Sequence, residues 1–375
     1  MFVKQANSFP VSVKAAVQAL VLFAVLSPAG AGRPSRDAPP DVSYEINGLD
    51  GPVRIMMDLE GIPHILARID RDAYFALGYV HARDRWFQMD YSRRLFSGTL
   101  AELMGESALD SDIQFRTLGL KRAAEQSQAA YSSSVLKVLE AYAEGVNWYL
   151  ESDRFQLPPE YAKLEISQVR PWDPLDSITV AKGIAFGLSF DYGDLSRSEI
   201  LQSYQDAGET YGFNGTALFE QDLFRSAPFD DAVSIPGTET VALKHRPSSA
   251  PAVARARFSE NTRRLIRRSL LKLRNIPVLK NRIGPGENAS GSNFWVIGPD
   301  LSKTGNALLA NDPHLSLDYP SIFYEAHLMV TRDRVRGEMN VSGVTFPGIP
   351  AFPQGCNETV CWGSTVNPMD VTDVY

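Results

Sequence analysis

The segment Glu287–Ile297 constrains this chain most, because it separates two stretches of different composition. Before it lies a basic, proline-containing run, and after it comes an alternating apolar segment, Phe294–Ile297, that is typical of a β-strand. The pair Gly291-Ser292 stands at the start of that strand. If the bond between them breaks, Ser292 becomes an N-terminal residue that carries both a nucleophile, its hydroxyl, and a base, its own α-amino group.

The chemistry of such a serine requires no other base. An α-amino group titrates at roughly 7.7–8.0, so near neutral pH much of it is free to accept the hydroxyl proton, directly or through one water. The tripeptide Gly291-Ser292-Asn293 also suits an ordinary turn before a strand. Both interpretations, a self-cleaving hydrolase and a simple turn, therefore stay open at this point.

Composition favours a globular enzyme and excludes few other classes. The 375 residues can bury one large core or two, and 44% hydrophobic and 22% charged residues are ordinary values. A net charge of −7 gives no support for nucleic-acid binding. The chain has no His-Glu-x-x-His zinc motif and no Gly-x-Ser-x-Gly elbow, so a metalloprotease or an elbow-type serine hydrolase fits poorly.

The first 31 residues have the features of a secretory signal. Lys4 and Lys14 flank the apolar run Ala15–Leu26, and the small residues of Pro28–Ala31 follow in an A-x-A arrangement. The apolar run is short for a transmembrane helix, although an uncleaved anchor is the alternative. We expect cleavage near Ala31, export to a bacterial periplasm or to the exterior, and no stable membrane insertion.

Residues 40–68 are predicted to form a β-hairpin, with strands at Val53–Met57 and His64–Ala67. His64 is interpreted as a sheet residue. A helix is expected from a cap at Asp70 or Asp72, with one apolar face, and an ion pair between Asp84 and Arg85 is expected to hold helices together. That apolar face comprises Phe75, Tyr79, Ala82, Trp86 and Met89.

Further helices are predicted over residues 116–150 and 177–188 and from about residue 191. Glu199 falls in the last of these and by itself is an exposed carboxylate of a first helical turn. Two cysteines, Cys356 and Cys361, flank four residues as across a short hairpin. They form a disulfide or stay as two separate thiols, and a metal site on two sulfurs alone is improbable.

Lysines and arginines crowd between residues 244 and 282, where Glu260 is the single acidic residue. Leucines and an isoleucine at Leu265–Leu273 predict a basic amphipathic helix within this run. One interpretation is a membrane or nucleic-acid surface. The interpretation that we favour is a spacer peptide that lies across an acidic surface until it is excised.

Three sequence blocks resemble, in order and spacing, the start of the β-subunit of the penicillin acylase family. They are Ser-Asn-Phe-Trp-Val-Ile-Gly at 292–298, Leu-Leu-Ala-Asn-Asp-Pro-His-Leu at 308–315 and Cys-Trp-Gly-Ser-Thr at 361–365. A separate upstream segment, Gly78–Arg85 through Ala101–Gly105, resembles the α-subunit of the same family. Its members are N-terminal-nucleophile hydrolases that are made as one precursor and matured by autocatalytic cleavage.

The resemblance implies an α+β fold, a four-layer αββα sandwich with additional α-subunit helices. It divides the chain into a signal peptide at 1–31, an α-subunit at 32–235, a spacer at 236–291 and the N-terminal part of a β-subunit at 292–375. The implied reaction is hydrolysis of the amide bond of an N-acylated small molecule, such as a penicillin or an N-acyl-homoserine lactone. The implied partners are that substrate and the chain's own α and β pieces, with no nucleic acid.

The resemblance also assigns roles at the site. Cleavage between Gly291 and Ser292 would expose the nucleophile, His314 would orient the α-amine, and the backbone N–H of Val366 would donate one hydrogen bond to the oxyanion. Each such donor contributes a few kcal/mol of transition-state stabilisation. A second donor in the family, an asparagine side chain, falls at a position beyond Tyr375.

Calcium is implied in the same way, as one ion per heterodimer. Its ligands would be Glu199, Asp370, the carbonyl of Thr372 and Asp373, an all-oxygen set that suits Ca²⁺. By sequence alone the two aspartates are carboxylates of a solvated loop. Because the sequence stops about eighty residues into the β-subunit, the alternative function is a truncated, inactive exported relative with a structural or binding role.

Overall fold

The computed structural model describes residues 49–164, 166–189, 193–223, 258–274, 291–315, 318–331 and 339–365. The predicted signal peptide, most of the predicted spacer and the site residues Val366, Asp370, Thr372 and Asp373 lie outside these ranges. The strands are β1 Arg54–Met57, β2 Pro63–Ala67, β3 Gly291–Ile297, β4 Leu308–His314, β5 Tyr324–Val330, β6 Met339–Thr345, β7 Gln354–Cys356 and β8 Cys361–Trp362.

Most of the helices precede β3. They are α1 Asp70–Ser97, α2 Ala101–Met104, α3 Leu109–Leu118, α4 Leu120–Ala130, α5 Ser133–Glu151, α6 Pro159–Lys163, α7 Pro174–Ser189, α8 Gly193–Tyr211, α9 Gly215–Ala217 and α10 Glu260–Arg274. Short helical turns also occur in the described ranges: 3₁₀ turns at Gly105–Ala108 and Pro299–Leu301 and a π-helical turn at Leu218–Leu223. The mixture of helices and mostly antiparallel strands makes the chain α+β, as the sequence predicted.

The described strands form two sheets. Six of them lie in the order β1-β2-β5-β6-β7-β8, and β3 and β4 form a separate antiparallel hairpin. In the six-stranded sheet the neighbours β2 and β5 are parallel, with His64 opposite His327 and Ala67 opposite Val330, whereas the other pairs are antiparallel. Strands from before and after the predicted cleavage point therefore belong to one sheet.

Helix α1 packs against this sheet and against α5. The five residues that were predicted to form its apolar face are all buried, which confirms the helical periodicity. Two glycines let α1 and α5 approach closely. A Cβ atom on Gly78 would overlap the carbonyl of Tyr142, and one on Gly145 would overlap the carbonyl of Phe75. The crossing point is thus defined by backbone contact on both helices.

The start of α1 differs from the prediction. The N-cap residue is Ile69, and no side chain caps the helix. The carboxylate of Asp72 instead accepts hydrogen bonds from the backbone N–H groups of Asp50 and Gly51, at 3.1 and 2.9 Å. The prediction of an aspartate cap was wrong because the buried Asp72 carboxylate satisfies backbone donors of the segment before β1 rather than those of its own helix.

The predicted ion pair between Asp84 and Arg85 is also wrong. Asp84 pairs with Arg83, whose Nε lies 2.6 Å from Oδ1, and its Oδ2 accepts a hydrogen bond from the Tyr324 hydroxyl, also at 2.6 Å. Arg85 has non-helical backbone angles, φ −140° and ψ 22°, and its guanidinium donates to the carbonyl of Ser321 at 2.7 Å. The kink at Arg85 directs its side chain away from Asp84 and toward the loop before β5.

A buried charge cluster joins α1 to the first turn of α7. Arg93, 1% exposed, donates to Asp90 at 2.6 Å and to Asp176 at 3.3 Å. Although burial raises the pKa of Asp90, the positive charge of Arg93 and a hydrogen bond from Tyr161 lower it below its ordinary value. Every charge of this cluster has a partner, which is the condition under which buried ions are tolerated.

The remaining sequence predictions for this region have clear outcomes. The β1–β2 hairpin is confirmed, and His64 is a sheet residue whose Nδ1 lies 3.0 Å from Nδ1 of His327. Cys356 and Cys361 form a disulfide across β7 and β8, with the sulfur atoms 2.07 Å apart. Among the described helices, none is both long enough and apolar enough to cross a bilayer.

The basic amphipathic helix predicted within residues 265–273 is present as α10. Its inner face buries Ile266 and Leu270 in the core, and Arg263 donates two hydrogen bonds to the carboxylate of Asp206 on α8, at 2.9 and 3.0 Å. Arg264, Arg267, Arg268 and Lys272 remain exposed. This part of the predicted spacer is therefore packed against the region assigned to the α-subunit.

Candidate functional site

Ser292 is the second residue of β3 and is half-buried. In the β3–β4 hairpin it lies opposite Pro313, and Gly291 lies opposite His314. The strand register therefore places His314 directly across from the predicted scissile bond. None of the described residues forms a hydrogen bond with the Ser292 hydroxyl, whereas its carbonyl oxygen has a described partner.

Hydrogen bonds join the third sequence block, residues 361–365, to the β3–β4 hairpin beside Ser292. The hydroxyl of Thr365 donates to the carbonyl oxygen of Ser292 at 2.7 Å. The side-chain amide of Asn311, on β4, donates from Nδ2 to the carbonyls of Asn293 and Ser364, each at 2.9 Å, and its Oδ1 accepts from the N–H of Ser364 at 3.0 Å. The three blocks that carried the family resemblance thus meet around Ser292.

The segment between the disulfide and Thr365 is closely packed. A Cβ atom on Gly363 would lie 2.5 Å from both Oδ1 of Asn311 and the ring of Phe294, so a larger residue would displace one of them. Trp362 donates from its indole N–H to the carbonyl of Phe352 at 2.9 Å. The Cys356–Cys361 bond closes the β7–β8 hairpin immediately before this segment. The backbone leading to Val366 is therefore held from both sides.

His314 is close to the hairpin end but does not contact the Ser292 hydroxyl. Its Nε2 lies 3.0 Å from Oδ2 of Asp312 and 3.2 Å from the side-chain amide of Asn293, and its side chain is 49% exposed. A single ring nitrogen either donates to the carboxylate or accepts from the amide. The ring is thereby held on the strand pair that carries Ser292, whichever proton arrangement it has.

The predicted calcium ligands are represented here by Glu199 alone. It lies in the second turn of α8 and is half-buried, so the prediction of an exposed first-turn carboxylate was wrong. Its carboxylate has no hydrogen bond or ion pair with any described residue, and its backbone carbonyl accepts a hydrogen bond from the Ser203 hydroxyl. Asp370, Thr372 and Asp373 lie outside the described residues, as does Val366. Within the described ranges, no group of three or more acidic, histidine or cysteine side chains is arranged to hold a metal ion.

The sequence reasoning gave no role to Asn311 and Thr365, although both fall inside the blocks that it used. Their contacts span 53 and 73 residues of sequence, so no local pattern indicates them. The sequence carried only a weak signal, because both side chains can bond to backbone groups but each stands beside another polar residue that can do the same.

Residues 52–375 match the sequence model of the penicillin amidase family, and the chain belongs to that family. It has the α+β fold of the N-terminal-nucleophile hydrolases, as predicted. It is 32% identical over 339 residues to penicillin acylase 2 proenzyme of a Pseudomonas species and 31% identical over 332 residues to an acyl-homoserine lactone acylase of Pseudomonas aeruginosa. Penicillin G acylase of Escherichia coli is 27% identical over 347 residues.

These alignments cover most of this chain and a smaller part of each relative. They span 89, 88 and 86% of this chain but 38, 35 and 40% of the relatives' lengths. Among solved structures, a thermostable penicillin G acylase from Alcaligenes faecalis is 29% identical, with a TM-score of 0.42 over 49% of this chain and 96% of that chain. The chain thus corresponds to somewhat more than a third of each curated relative.

Proposed function

We propose that this chain belongs to a self-processing amidohydrolase that cleaves N-acyl amide bonds of small molecules with Ser292 as its N-terminal nucleophile. The observation that carries the proposal is the convergence of Ser292, His314, Asn311 and Thr365 at one end of the β3–β4 hairpin. The relatives' names, penicillin acylase and acyl-homoserine lactone acylase, indicate substrates with an acyl group on nitrogen. The acyl amide is the chemistry that these two substrates share.

The proposed reaction has two acyl-transfer steps. After the Gly291–Ser292 bond is cut, the free α-amino group of Ser292 takes the proton of its own hydroxyl, and the oxygen attacks the amide carbon. The tetrahedral oxyanion collapses to an ester as the amine leaves with a proton. Water then attacks the ester, and the acid is released with Ser292 restored. His314, placed across from Gly291, would orient the α-amine that cleavage exposes.

The oxyanion needs hydrogen-bond donors that are already in place. We assign one of them to the backbone N–H of Val366, the residue that follows Thr365. Thr365 itself is anchored to the carbonyl of Ser292, which supports this assignment because it places the two segments side by side. A second donor from another part of the protein would complete the pair.

We also propose a bound Ca²⁺ held by Glu199, Asp370, the carbonyl of Thr372 and Asp373. A half-buried carboxylate that has no partner among the described residues, as at Glu199, suits such an ion, which takes oxygen ligands. The ion would fix the chain after Val366 to helix α8 and would supply no step of the reaction. Residues 1–31 would direct export to the periplasm, and residues 236–291 would be the excised spacer.

The test is intact-mass analysis and N-terminal sequencing of the exported protein, made from its complete coding sequence, as wild type and as Ser292→Ala. We expect the wild type to yield a new N-terminus at Ser292 and to release amine from an N-acyl 4-nitroanilide. The variant should stay as one uncut chain without activity, because it lacks the attacking oxygen.

Two results would decide against the proposal. An uncut wild-type chain without amidase activity would favour the alternative, an inactive exported relative with a structural or binding role. A variant that is cut as fast as the wild type would show that another group performs the cleavage. Ser302→Ala, on the loop between β3 and β4, is the matched control and should process normally.

A further inference from the structure

We propose that Asn311 is a positioning residue that sets the distance between the nucleophile strand and the segment that precedes the oxyanion donor. This inference rests on the proposed function and deepens it. Asn311 lies on β4, opposite Phe294 in the hairpin register, and is half-buried. Its side chain reaches across β3 to the segment Gly363–Thr365, which follows the β7–β8 hairpin.

Both the nitrogen and the oxygen of the Asn311 side-chain amide form hydrogen bonds with backbone groups. A primary amide has two N–H donors and one carbonyl acceptor. One N–H donates to the carbonyl of Asn293 and the other to the carbonyl of Ser364, both at 2.9 Å, while Oδ1 accepts from the N–H of Ser364 at 3.0 Å. The contacts fix the orientation of the amide, because exchange of its nitrogen and oxygen would set a carbonyl against a carbonyl.

These three bonds join the two parts of the site that must stay in register. Asn293 directly follows Ser292, and Ser364 precedes Val366 by two residues. Thr365 makes a second link, from its hydroxyl to the carbonyl of Ser292 at 2.7 Å. Asn311 and Thr365 therefore bind the strand that carries Ser292 to the segment that precedes the proposed oxyanion donor.

The packing leaves little freedom for another arrangement. Gly363 has no room for a Cβ atom, which would lie 2.5 Å from Oδ1 of Asn311 and from the Phe294 ring. Aspartate has the same shape as asparagine but cannot donate a hydrogen bond when ionised, and its charge would repel both carbonyl oxygens. Asn311→Asp is therefore expected to loosen the two segments with little change of volume.

The expected effect is on the rate rather than on substrate binding. A displacement of about 1 Å between reacting groups can cost roughly a hundredfold in rate. Because Asn311 binds backbone on both sides, we expect Asn311→Asp to lower kcat by about ten- to hundredfold, to leave KM within about twofold, and to slow cleavage at Gly291–Ser292. Autocatalytic cleavage should respond together with kcat, since both use the same oxygen and oxyanion donors.

The experiment compares three forms of the full-length protein: wild type, Asn311→Asp and the control Asn306→Asp. Asn306 is an exposed asparagine in the loop between β3 and β4, at the far end of the hairpin from Ser292, so its variant introduces the same charge away from the site. Mass spectrometry follows the appearance of the Ser292 N-terminus. An N-acyl 4-nitroanilide gives kcat and KM, with active sites counted as the fraction of chains that carry the Ser292 N-terminus.

Each outcome has a distinct meaning. A wild-type chain that neither cuts itself nor cleaves the anilide overturns the proposed function and, with it, this inference. If the wild type is active but Asn311→Asp processes at the same rate with kcat within twofold, Asn311 is not a positioning residue. A raised KM at unchanged kcat would make it a substrate-binding residue instead. Should Asn311→Asp be unfolded at the assay temperature, Asn311→Ser, which adds no charge, replaces it in the same comparison.

Discussion

At the scale of single residues, His81 shows how the fold fixes a protonation state. It is fully buried on α1, and its Nε2 lies 2.9 Å from the hydroxyl of Thr345, which itself donates to the carbonyl of Tyr324. Nε2 must therefore carry the proton. Nδ1 then accepts from the hydroxyl of Tyr142, at 2.7 Å, whose oxygen accepts from the N–H of Gly348. Burial, with a smaller contribution from the charge of Arg85, lowers the pKa of His81 to about 3.

This arrangement predicts that the protein loses stability in mild acid. Since the folded-state pKa of about 3 lies below the unfolded value near 6.5, the unfolded chain binds an extra proton between these values. The free energy of unfolding should thus decrease as the pH falls through that window, by about 2 kcal/mol from pH 7 to pH 5. Urea unfolding at both pH values measures it. His81→Gln should lack this component, and an equal decrease in that variant would contradict the assignment.

At the scale of elements, the sequence predicted what depends on local periodicity. The apolar face of α1, the β1–β2 hairpin and the basic helix α10 were all readable from residue spacing. The missing cap of α1 and the contact of Asp84 with Tyr324 could not be predicted in this way. In both cases the carboxylate binds a donor that is distant in sequence and near only in the folded chain. At the site, the blocks containing Ser292 and His314 were found by resemblance, while the contacts of Asn311 required the long-range structure.

The crossing of α1 and α5 gives a prediction at this scale. In an ordinary helix interior, replacing glycine by alanine is favourable by up to about 1 kcal/mol. At Gly145 the added methyl group would overlap the Phe75 carbonyl, so the helices must separate. We expect Gly145→Ala to destabilise the protein by about 1–3 kcal/mol, as overpacked cores do. Thermal unfolding measures the change.

Glu140→Ala is the control for this substitution, because Glu140 is an exposed residue of the same helix. It should change the melting temperature little. If Gly145→Ala instead raised the melting temperature, as helix propensity alone predicts, the close approach of the two helices would not be a constraint on the fold.

At the scale of the whole molecule, the strand order of the six-stranded sheet could not be predicted from the sequence. Its parallel pairing is between β2 and β5, where His64 lies opposite His327, 263 residues away along the chain. No periodicity specifies which distant strand is a neighbour. The apolar residues of β3 were correctly interpreted as a strand, yet Trp295 and Val296 are 66 and 62% exposed. The alternation of apolar residues indicated the strand but did not indicate that these two side chains are exposed.

The shared sheet has a consequence for the number of molecules that unfolding produces. A cut between Gly291 and Ser292 would leave β1, β2 and α1 on one polypeptide and β5 to β8 on another, joined by the β2–β5 pairing. Unfolding of the uncut chain produces one molecule from one, whereas unfolding of the cut protein produces two. Mass action then enters the equilibrium.

The transition midpoint of the cut protein should therefore rise with protein concentration, while that of the uncut Ser292→Ala chain should not. Chemical denaturation over a hundredfold range of concentration distinguishes the two. A midpoint independent of concentration in the cut protein would mean that its two polypeptides do not separate in the unfolding transition. Concentration, which is immaterial to the uncut chain, becomes a determinant of stability once one peptide bond is broken.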